Sequence, residues 1–158
     1  MRSMVQSYME NPRSVMLTVI PANVDVATQE ILEMAVDVDP DGKRTLGVLT
    51  KPDLVDHGAE SRVIDLLEGR AHPLKLGWHV VRNPGQIQLA DESLDRGNIE
   101  QEFFSISAIW KDVDLDKKGI DALRVRIQAL LNDLVRQEFP KVRSTVFSRA
   151  PVLTTFSG

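Results

Sequence analysis

A four-residue segment, Thr50-Lys51-Pro52-Asp53, combines residue types that can recognise a purine base, and it directly follows the apolar run Leu46-Gly47-Val48-Leu49. A carboxylate held just beyond a strand can accept two parallel hydrogen bonds, one from the ring N–H of guanine and one from its exocyclic amine. A lysine two positions earlier can lay its aliphatic stem across the base. Lys51 and Asp53 therefore predict a guanine-recognition loop.

A second polar loop supports this interpretation. The segment Arg82-Asn83-Pro84-Gly85-Gln86 follows the next apolar strand. In it Asn83 and Gln86 could bond a purine edge or a ribose, and Gly85 would let the backbone approach a ligand closely. Each segment also has an ordinary alternative, because an Asp-containing turn and an Asn-Pro-Gly turn are both common after strands.

Residues that would handle phosphates are not found in the sequence. No segment fits the phosphate-loop pattern GxxxxGK[ST], and Gly69 and Gly77 are isolated glycines that form no cradle. Phosphoryl transfer needs positioned phosphates, Mg²⁺ and an ordered water. We expect base recognition without catalysis from this chain alone, an expectation that a single-turnover GTP hydrolysis assay would test.

Apolar runs and turns predict the elements that position the two loops. Residues 15–20 form a continuous apolar run that suits a strand buried on both faces, and residues 45–49 and 78–82 predict two further strands. Helical patterns at residues 25–38 and 61–68 separate them. This alternation predicts an α/β fold with a parallel sheet and flanking helices. Ligands of such sheets bind beyond the carboxyl ends of the strands, which places the loops on one rim.

The second half of the chain is predicted to be helical. Asn98 and Gln101 have the spacing of a capping box ahead of a helix, and residues 112–118 predict a solvated, charged linker. A long amphipathic helix follows from Ile120 and is expected to end at Pro140. Its apolar stripe is too short for a coiled coil and favours packing against its own domain or a neighbouring helix.

Composition narrows the function classes. A chain of 158 residues predicts about one domain, and a net charge of -4 argues against binding to nucleic acid. The absence of cysteine excludes disulfides and thiolate metal sites. No apolar run reaches the length of a membrane span, and the first residues do not resemble a secretory signal, so a cytoplasmic location is expected.

Other candidate sites are weak. His57, His72 and His79 are scattered and lack metal-ligand spacing, so we expect surface or structural histidines, no metal site and no catalytic set. Trp78 and Trp110 are expected to lie in the core.

Taken together, these segments resemble the dynamin superfamily of large GTPases, especially its Mx-like branch. The resemblance covers nearly the whole chain and implies part of a P-loop-NTPase-like sheet followed by a helical C-terminal segment. The similar strings occur in the family's order and spacing, at residues 21–25, 38–45, 50–56, 80–81 and 83–86, with weaker similarity at 102–104 and 119–131.

The resemblance implies roles for particular residues. Lys51 and Asp53 would bind the guanine base, while Thr50 would brace their loop. Asn83 and Gln86 match the family's last nucleotide loop. In that loop Pro84 stands where arginine is common, which removes a contact that the family pattern would supply.

Two acidic residues match family positions that lie where GTPase domains pair across the nucleotide. These residues are Asp25 and Asp56. The alternatives are a helix cap for Asp25 and a solvated turn for Asp56.

The resemblance also implies a domain assignment. Residues 1–149 would be the C-terminal part of a GTPase domain, with the connecting helical region starting within 119–149, and residues 150–158 would be an unstructured tail. GTP or GDP would be the ligand, bound weakly by this chain alone, and Mg²⁺ would bind only in a full-length parent.

The parent family hydrolyses GTP to drive self-assembly and membrane remodelling, or engagement of viral or filament targets. Membrane or cytoskeleton contacts would come through regions outside this chain. Two alternatives remain open at this point: a non-catalytic paralogue that interacts with full-length dynamin-like GTPase domains, and a non-functional gene fragment.

Overall fold

The computed structural model describes residues 2–85, 88, 95–106 and 108–148. The main elements in chain order are α1 (Arg2–Met9), β1 (Met16–Pro21), α2 (Glu30–Val38), β2 (Thr45–Thr50), α3 (Glu60–Leu67), β3 (Trp78–Val80), α4 (Arg96–Ile106), α5 (Ala108–Lys111) and α6 (Ile120–Ser148). Short 3-10 turns lie at Val26–Thr28, Pro52–Leu54 and Leu115–Lys117. The strands form one parallel sheet in the order β1-β2-β3, which confirms the predicted α/β class. The expected tail at residues 150–158 lies outside the described residues.

The register of the sheet brings the predicted loops to one rim. Pro21 at the end of β1 lies beside Thr50 at the end of β2, and Leu49 lies beside Val80 at the end of β3. Because the strands are parallel, the segments that follow them all leave the sheet at its carboxyl-terminal end. The rim that the sequence predicted is therefore present.

The central strand β2 is buried on both faces. On one face Leu46 and Val48 pack with Val81 and with Leu123 of α6. On the other face Leu49 belongs to a larger apolar cluster built from all three strands and the helices α2 to α5. The buried members of that cluster are Ile20, Val26, Leu32, Leu49, Val63, Leu66, Leu67, Trp78, Val80, Phe104, Trp110 and Val113.

The edge strand β1 does not follow the prediction of burial on both faces. Its residues alternate between buried and exposed, and Leu17 and Val19 are 45% and 55% exposed. Leu17 lies beside Leu46 in the register, so both side chains are on the face that α6 covers over β2. The cluster around Leu123 contains no β1 residue, so α6 leaves this part of β1 uncovered. The expectation was wrong for β1 because burial depends on which helix lies over each strand.

A close contact between β2 and β3 explains Gly47. A Cβ atom added there would lie 2.1 Å from Cε3 of Trp78, far inside van der Waals contact. The ring of Trp78 is buried, and its Nε1–H donates to the carbonyl of His72 at 2.9 Å. Trp110 is buried as well, so the prediction that both tryptophans lie in the core is confirmed.

The amino end of β2 is held by a buried carboxylate that the sequence pattern showed only as part of a turn. Asp39 accepts hydrogen bonds from the backbone N–H groups of Lys43 (3.0 Å) and Arg44 (2.8 Å). It also accepts one from the Thr45 hydroxyl at 2.7 Å. Burial acts to raise the pKa of the Asp39 carboxyl, but these three hydrogen bonds and the positive charge of Arg44 together outweigh it and lower that pKa.

The side chain of Arg44 joins two helices to the same end of the sheet. Its guanidinium donates to the carbonyl of Met9, the last residue of α1, at 3.2 Å and to the carbonyl of Asn11, just beyond that helix, at 2.8 Å. It also donates to the carbonyl of Val38, the last residue of α2, at 3.3 Å. A cation at the carbonyl end of a helix satisfies groups that have no partner within the helix.

The helical half differs from the prediction in three places. Helix α4 already begins at Arg96, so Asn98 lies inside it and the predicted capping box is wrong. Helix α6 runs through Pro140 to Ser148, since a proline removes one backbone hydrogen bond but does not prevent the chain from staying helical. The segment 112–118 is largely exposed, as expected of a solvated linker, but it also has order that was not predicted, because Lys118 forms a bridge with Val80 and its ammonium donates to the carbonyl of Trp110 at 2.7 Å.

Replacing Asp39 with alanine is expected to destabilise the fold. The Asp39→Ala change leaves two backbone N–H groups and one hydroxyl without their acceptor, which should lower the free energy of unfolding by about 2–4 kcal/mol. Urea denaturation measures the loss. Asp41→Ala, which removes only an exposed pair with Lys43, is the matched control and should change little. Equal effects of the two variants would contradict this role for Asp39.

Stability is also expected to fall in mildly acidic solution because of His79. This residue is fully buried, and its Nε2 lies 2.8 Å from the carbonyl of Gly119. Burial lowers the pKa of His79, and the positive charge of Arg126 adds to the effect, although Gly119, Glu100 and Asp116 oppose it. The unfolded chain therefore binds a proton first as the pH falls.

The His79 contribution should be complete above pH 6.5 or so and should be lost as the pH falls from there through the lower pKa of the folded state. Urea titrations at several pH values measure this, and His79→Gln should flatten the dependence. The exposed His72 provides the control, because His72→Asn should leave the dependence in place. A wild-type profile that is already flat from pH 7 to pH 5 would refute the assignment.

Candidate functional site

The first rim loop turns sharply at the end of β2. Thr50 donates from Oγ1 to the carbonyl of Ile20 at 3.5 Å, and its own carbonyl accepts from the N–H of Ala22 at 2.7 Å. Lys51 adopts a left-handed backbone conformation, with φ 54° and ψ 48°. The 3-10 turn that follows begins at the buried Pro52.

This turn presents the two predicted base-binding side chains to solvent. Lys51 is exposed, and Asp53 lies in the 3-10 turn with a side chain that is 33% exposed. A non-glycine residue with positive φ is uncommon and carries strain that tends to occur at functional sites. The sequence pattern contained no signal for this conformation of Lys51.

The second rim loop continues alongside the first. The N–H of Val81 donates to the carbonyl of Leu49 at 2.9 Å, which keeps the chain next to β2 for one residue beyond β3. Asn83 and Gly85 are exposed at the rim. Gln86 lies outside the described residues, so its place in the site stays a prediction.

Arg82 connects the two loops. Its Nε lies 4.0 Å from Oδ2 of Asp53, and its guanidinium carbon lies 5.4 Å from the centroid of the Phe103 ring. One terminal nitrogen donates to Oε1 of Gln88 at 3.3 Å. Sequence reasoning assigned no role to Arg82 or Phe103, and their only signal was a cation directly before Asn83 and an aromatic pair in the following helix.

A buried carboxylate joins the second loop to the helical half. Glu100 of α4 accepts from the N–H of Arg82 at 2.8 Å and from the N–H of Ile120 at 2.7 Å. Ile120 is the first residue of α6, where the free N–H groups and the helix dipole favour a negative charge. The start of α6 and the Arg82 backbone are thus held by the same side chain.

The two acidic candidates for domain pairing lie in the loops that follow β1 and β2. Asp25 is exposed, and its Oδ1 accepts from the N–H of Ala27 at 3.0 Å. It therefore caps the short 3-10 turn, whereas α2 itself begins after Gln29. Asp56 is exposed in the turn that leads into α3. A role for either residue in pairing stays a prediction.

A cavity of about 520 Å³ lies between α4 and the start of α6, lined in part by Glu100, Phe104, Lys118 and Ile120. Of the predicted base-binding residues that the structure describes, none lines this cavity. Within the described ranges, no three His, Cys, Asp or Glu side chains are grouped so that they could hold a metal ion. The helices of the same ranges include none long and apolar enough to cross a bilayer.

Comparison with known proteins gives two family matches. Residues 1–52 match the Dynamin family, and residues 62–151 match the Dynamin central region. The second match alone covers more than half of the chain, and the first ends within the Thr50–Asp53 loop.

Individual relatives agree with these matches. The chain is 46% identical over 101 residues to the interferon-induced GTP-binding protein Mx of Perca fluviatilis, which covers 64% of this chain and 34% of that protein. It is 36% identical over 150 residues to Mx1 of Mus musculus, covering 93% of this chain and 24% of the relative. The dynamin-related protein dnm1 of Schizosaccharomyces pombe is 36% identical over 145 residues, covering 90% of this chain and 18% of the relative.

The chain thus spans about a third or less of the length of these relatives. Two consecutive family matches, together with a parallel sheet whose rim carries the expected loops, lead to one assignment. The chain belongs to the dynamin superfamily of large GTPases, within its Mx-like branch.

Proposed function

We propose that this chain binds guanine nucleotides through the Thr50–Asp53 loop and acts as the base-reading part of a GTPase domain in a cytoplasmic, self-assembling dynamin-like protein. The observation that supports this most strongly is the rim itself. The exposed Lys51 and Asp53 lie at the carboxyl end of β2, and Arg82 brings the loop that contains Asn83 next to Asp53. The relatives named as GTP-binding proteins add support from outside the structure.

Each residue has a distinct part in the proposal. The carboxylate of Asp53 accepts from the guanine ring N–H and from the exocyclic amine, while the stem of Lys51 covers one face of the base. Thr50 braces the loop through its bond to the carbonyl of Ile20. Asn83 and Gln86 supply amide groups for the base or ribose from the second loop.

The same carboxylate selects against adenine. Adenine presents a ring nitrogen lone pair and a C–H group where guanine presents two N–H donors. A carboxylate opposite a lone pair is left without a hydrogen bond and is repelled. With only base-side contacts assigned, we expect a dissociation constant in the high micromolar to millimolar range, or about 4–6 kcal/mol of binding free energy.

A second candidate function is interaction with the GTPase domain of another dynamin-like chain. It is favoured by β1, an edge strand of the described sheet on which Leu17 and Val19 are exposed. An apolar edge strand can pair with a strand from a partner. A charge at Val19 would oppose such pairing without touching the nucleotide loops.

Co-purification with a full-length Mx-like protein tests the second candidate. The wild-type chain and Asp53→Asn should be retained equally, because the base-binding loop takes no part in strand pairing. Val19→Lys should lose most of the retained protein, since it places an ammonium on the apolar edge. Equal retention of Val19→Lys and the wild type would rule out this surface.

The main proposal is tested by a change of base preference. Asp53→Asn replaces one carboxylate oxygen with an N–H₂ donor, which suits the 2-oxo group of xanthine better than the 2-amino group of guanine. We expect GDP affinity to fall at least tenfold, to the limit that NMR titration can detect, and XDP affinity to rise above that of the wild type.

Asp41→Asn is the matched control for this titration. Asp41 is an exposed aspartate in the turn before β2, at the opposite end of the strand from the loop. This variant should bind GDP as the wild type does. A wild-type chain that binds ADP and GDP equally, or an Asp53→Asn variant with unchanged GDP affinity, would contradict the proposed function.

A further inference from the structure

We propose that Arg82 is a positioning residue that orients the carboxylate of Asp53 and so sets how strongly the site prefers guanine over bases that lack the 2-amino group. This inference rests on the proposed function and concerns the same site. Two parallel hydrogen bonds to guanine require the Asp53 carboxylate to face the base in one orientation, and Arg82 would hold it in that orientation. Asp53 alone, on an exposed 3-10 turn, has freedom to rotate.

The first support is an unused hydrogen-bond donor. The Arg82 side chain is only 13% exposed, and its Nε is buried and has no hydrogen-bond partner. This nitrogen forms an ion pair with Oδ2 of the Asp53 carboxylate, which lies 4.0 Å away. That separation is about 1 Å too long for a hydrogen bond. A buried donor without an acceptor costs free energy, so a small rotation of Asp53 toward Arg82 is favoured.

The second support is that the guanidinium is already held in place. It lies over the ring of Phe103, with 5.4 Å from its central carbon to the ring centroid, and one terminal nitrogen donates to Gln88. The Arg82 backbone is fixed as well, because its N–H donates to the buried carboxylate of Glu100. Asp53 can therefore close the gap by turning its own side chain while Arg82 stays where it is.

The closing step is compatible with base binding. Each carboxylate oxygen has two lone pairs, so Oδ2 can accept from Arg82 and from guanine at once. A carboxylate fixed in one orientation before the base arrives loses less entropy on binding. The benefit is largest for a ligand that uses both oxygens, which is a base with a ring N–H and an adjacent exocyclic amine.

The ratio of GDP affinity to IDP affinity distinguishes this positioning role from simple structural support of the loop. GDP and IDP share the ring N–H, and only GDP has the 2-amino group. If Arg82 merely supported the fold, its loss would weaken GDP and IDP binding by the same factor. If it orients Asp53, its loss should lower the ratio of GDP to IDP affinity.

The experiment is NMR titration of the full chain with GDP and with IDP. Arg82→Met keeps an unbranched apolar stem against Phe103 and removes every donor, and we expect it to lower the GDP/IDP ratio by about three- to tenfold. Arg82→Lys keeps the charge and should give an intermediate ratio. Arg124→Met is the control, because Arg124 is exposed on α6 and pairs with Asp121, and it should leave the ratio unchanged.

Asp53→Ala separates failure of this inference from failure of the proposed function. The wild type should prefer GDP, Asp53→Ala should lose that preference, and adding Arg82→Met to Asp53→Ala should have no further effect. If the first two results hold and Arg82→Met keeps the wild-type ratio, the inference about Arg82 is overturned and the proposed function stands. If the wild type shows no preference for GDP over IDP or ADP, both are overturned.

A spectroscopic measurement covers the case in which Arg82→Met fails to fold. The Nε–H resonance of Arg82 in the ¹⁵N-labelled wild type should shift on addition of GDP, because the Asp53 oxygen to which it donates then also accepts from the base, and it should shift less with IDP. An Nε–H resonance that responds identically to both nucleotides would also overturn the inference.

Discussion

The indole ring of Trp78 lies so close to the backbone of Gly47 that no side chain fits between them, and the position of the rim depends on this contact. It sets β3 against the central strand in a register that pairs Leu49 with Val80. The loop after β3 therefore leaves the sheet beside the loop after β2, and Arg82 comes within 4.0 Å of Asp53. Any Cβ at position 47 would push β3 away and separate the two halves of the proposed base site.

Two buried carboxylates secure the structure on either side of that contact. Asp39 holds the amino end of β2 through Lys43, Arg44 and Thr45, and Glu100 holds the segment beyond β3 through Arg82. In both cases a charge with little exposure is stabilised by backbone N–H donors. Glu100 also accepts from the N–H of Ile120, the first residue of α6, so one side chain holds both the start of that helix and the backbone of Arg82.

The sequence predicted the elements that depend on local pattern. The apolar runs, the turns between them and the residues after the strands were sufficient for the parallel sheet, its rim and the Thr50–Asp53 loop. The sequence did not predict features that depend on contacts between residues far apart along the chain. The exposed face of β1 depends on where α6 lies. The roles of Arg82 and Glu100 depend on contacts between residues that are far apart in the sequence, such as the hydrogen bond between these two residues, which are 18 positions apart. The left-handed conformation of Lys51 has no signature in residue type, since lysine rarely adopts it.

Recognition of a guanine base by this rim is measured most directly with a nucleoside, which carries the base without phosphates. Titrating the ¹⁵N-labelled chain with guanosine, and separately with adenosine, shows which backbone amides respond. If the rim reads a guanine base, guanosine should shift the amides of Lys51, Asp53 and Asn83, while adenosine should leave them in place. Guanosine shifts confined to the cavity between α4 and α6, or equal shifts with both nucleosides, would contradict it.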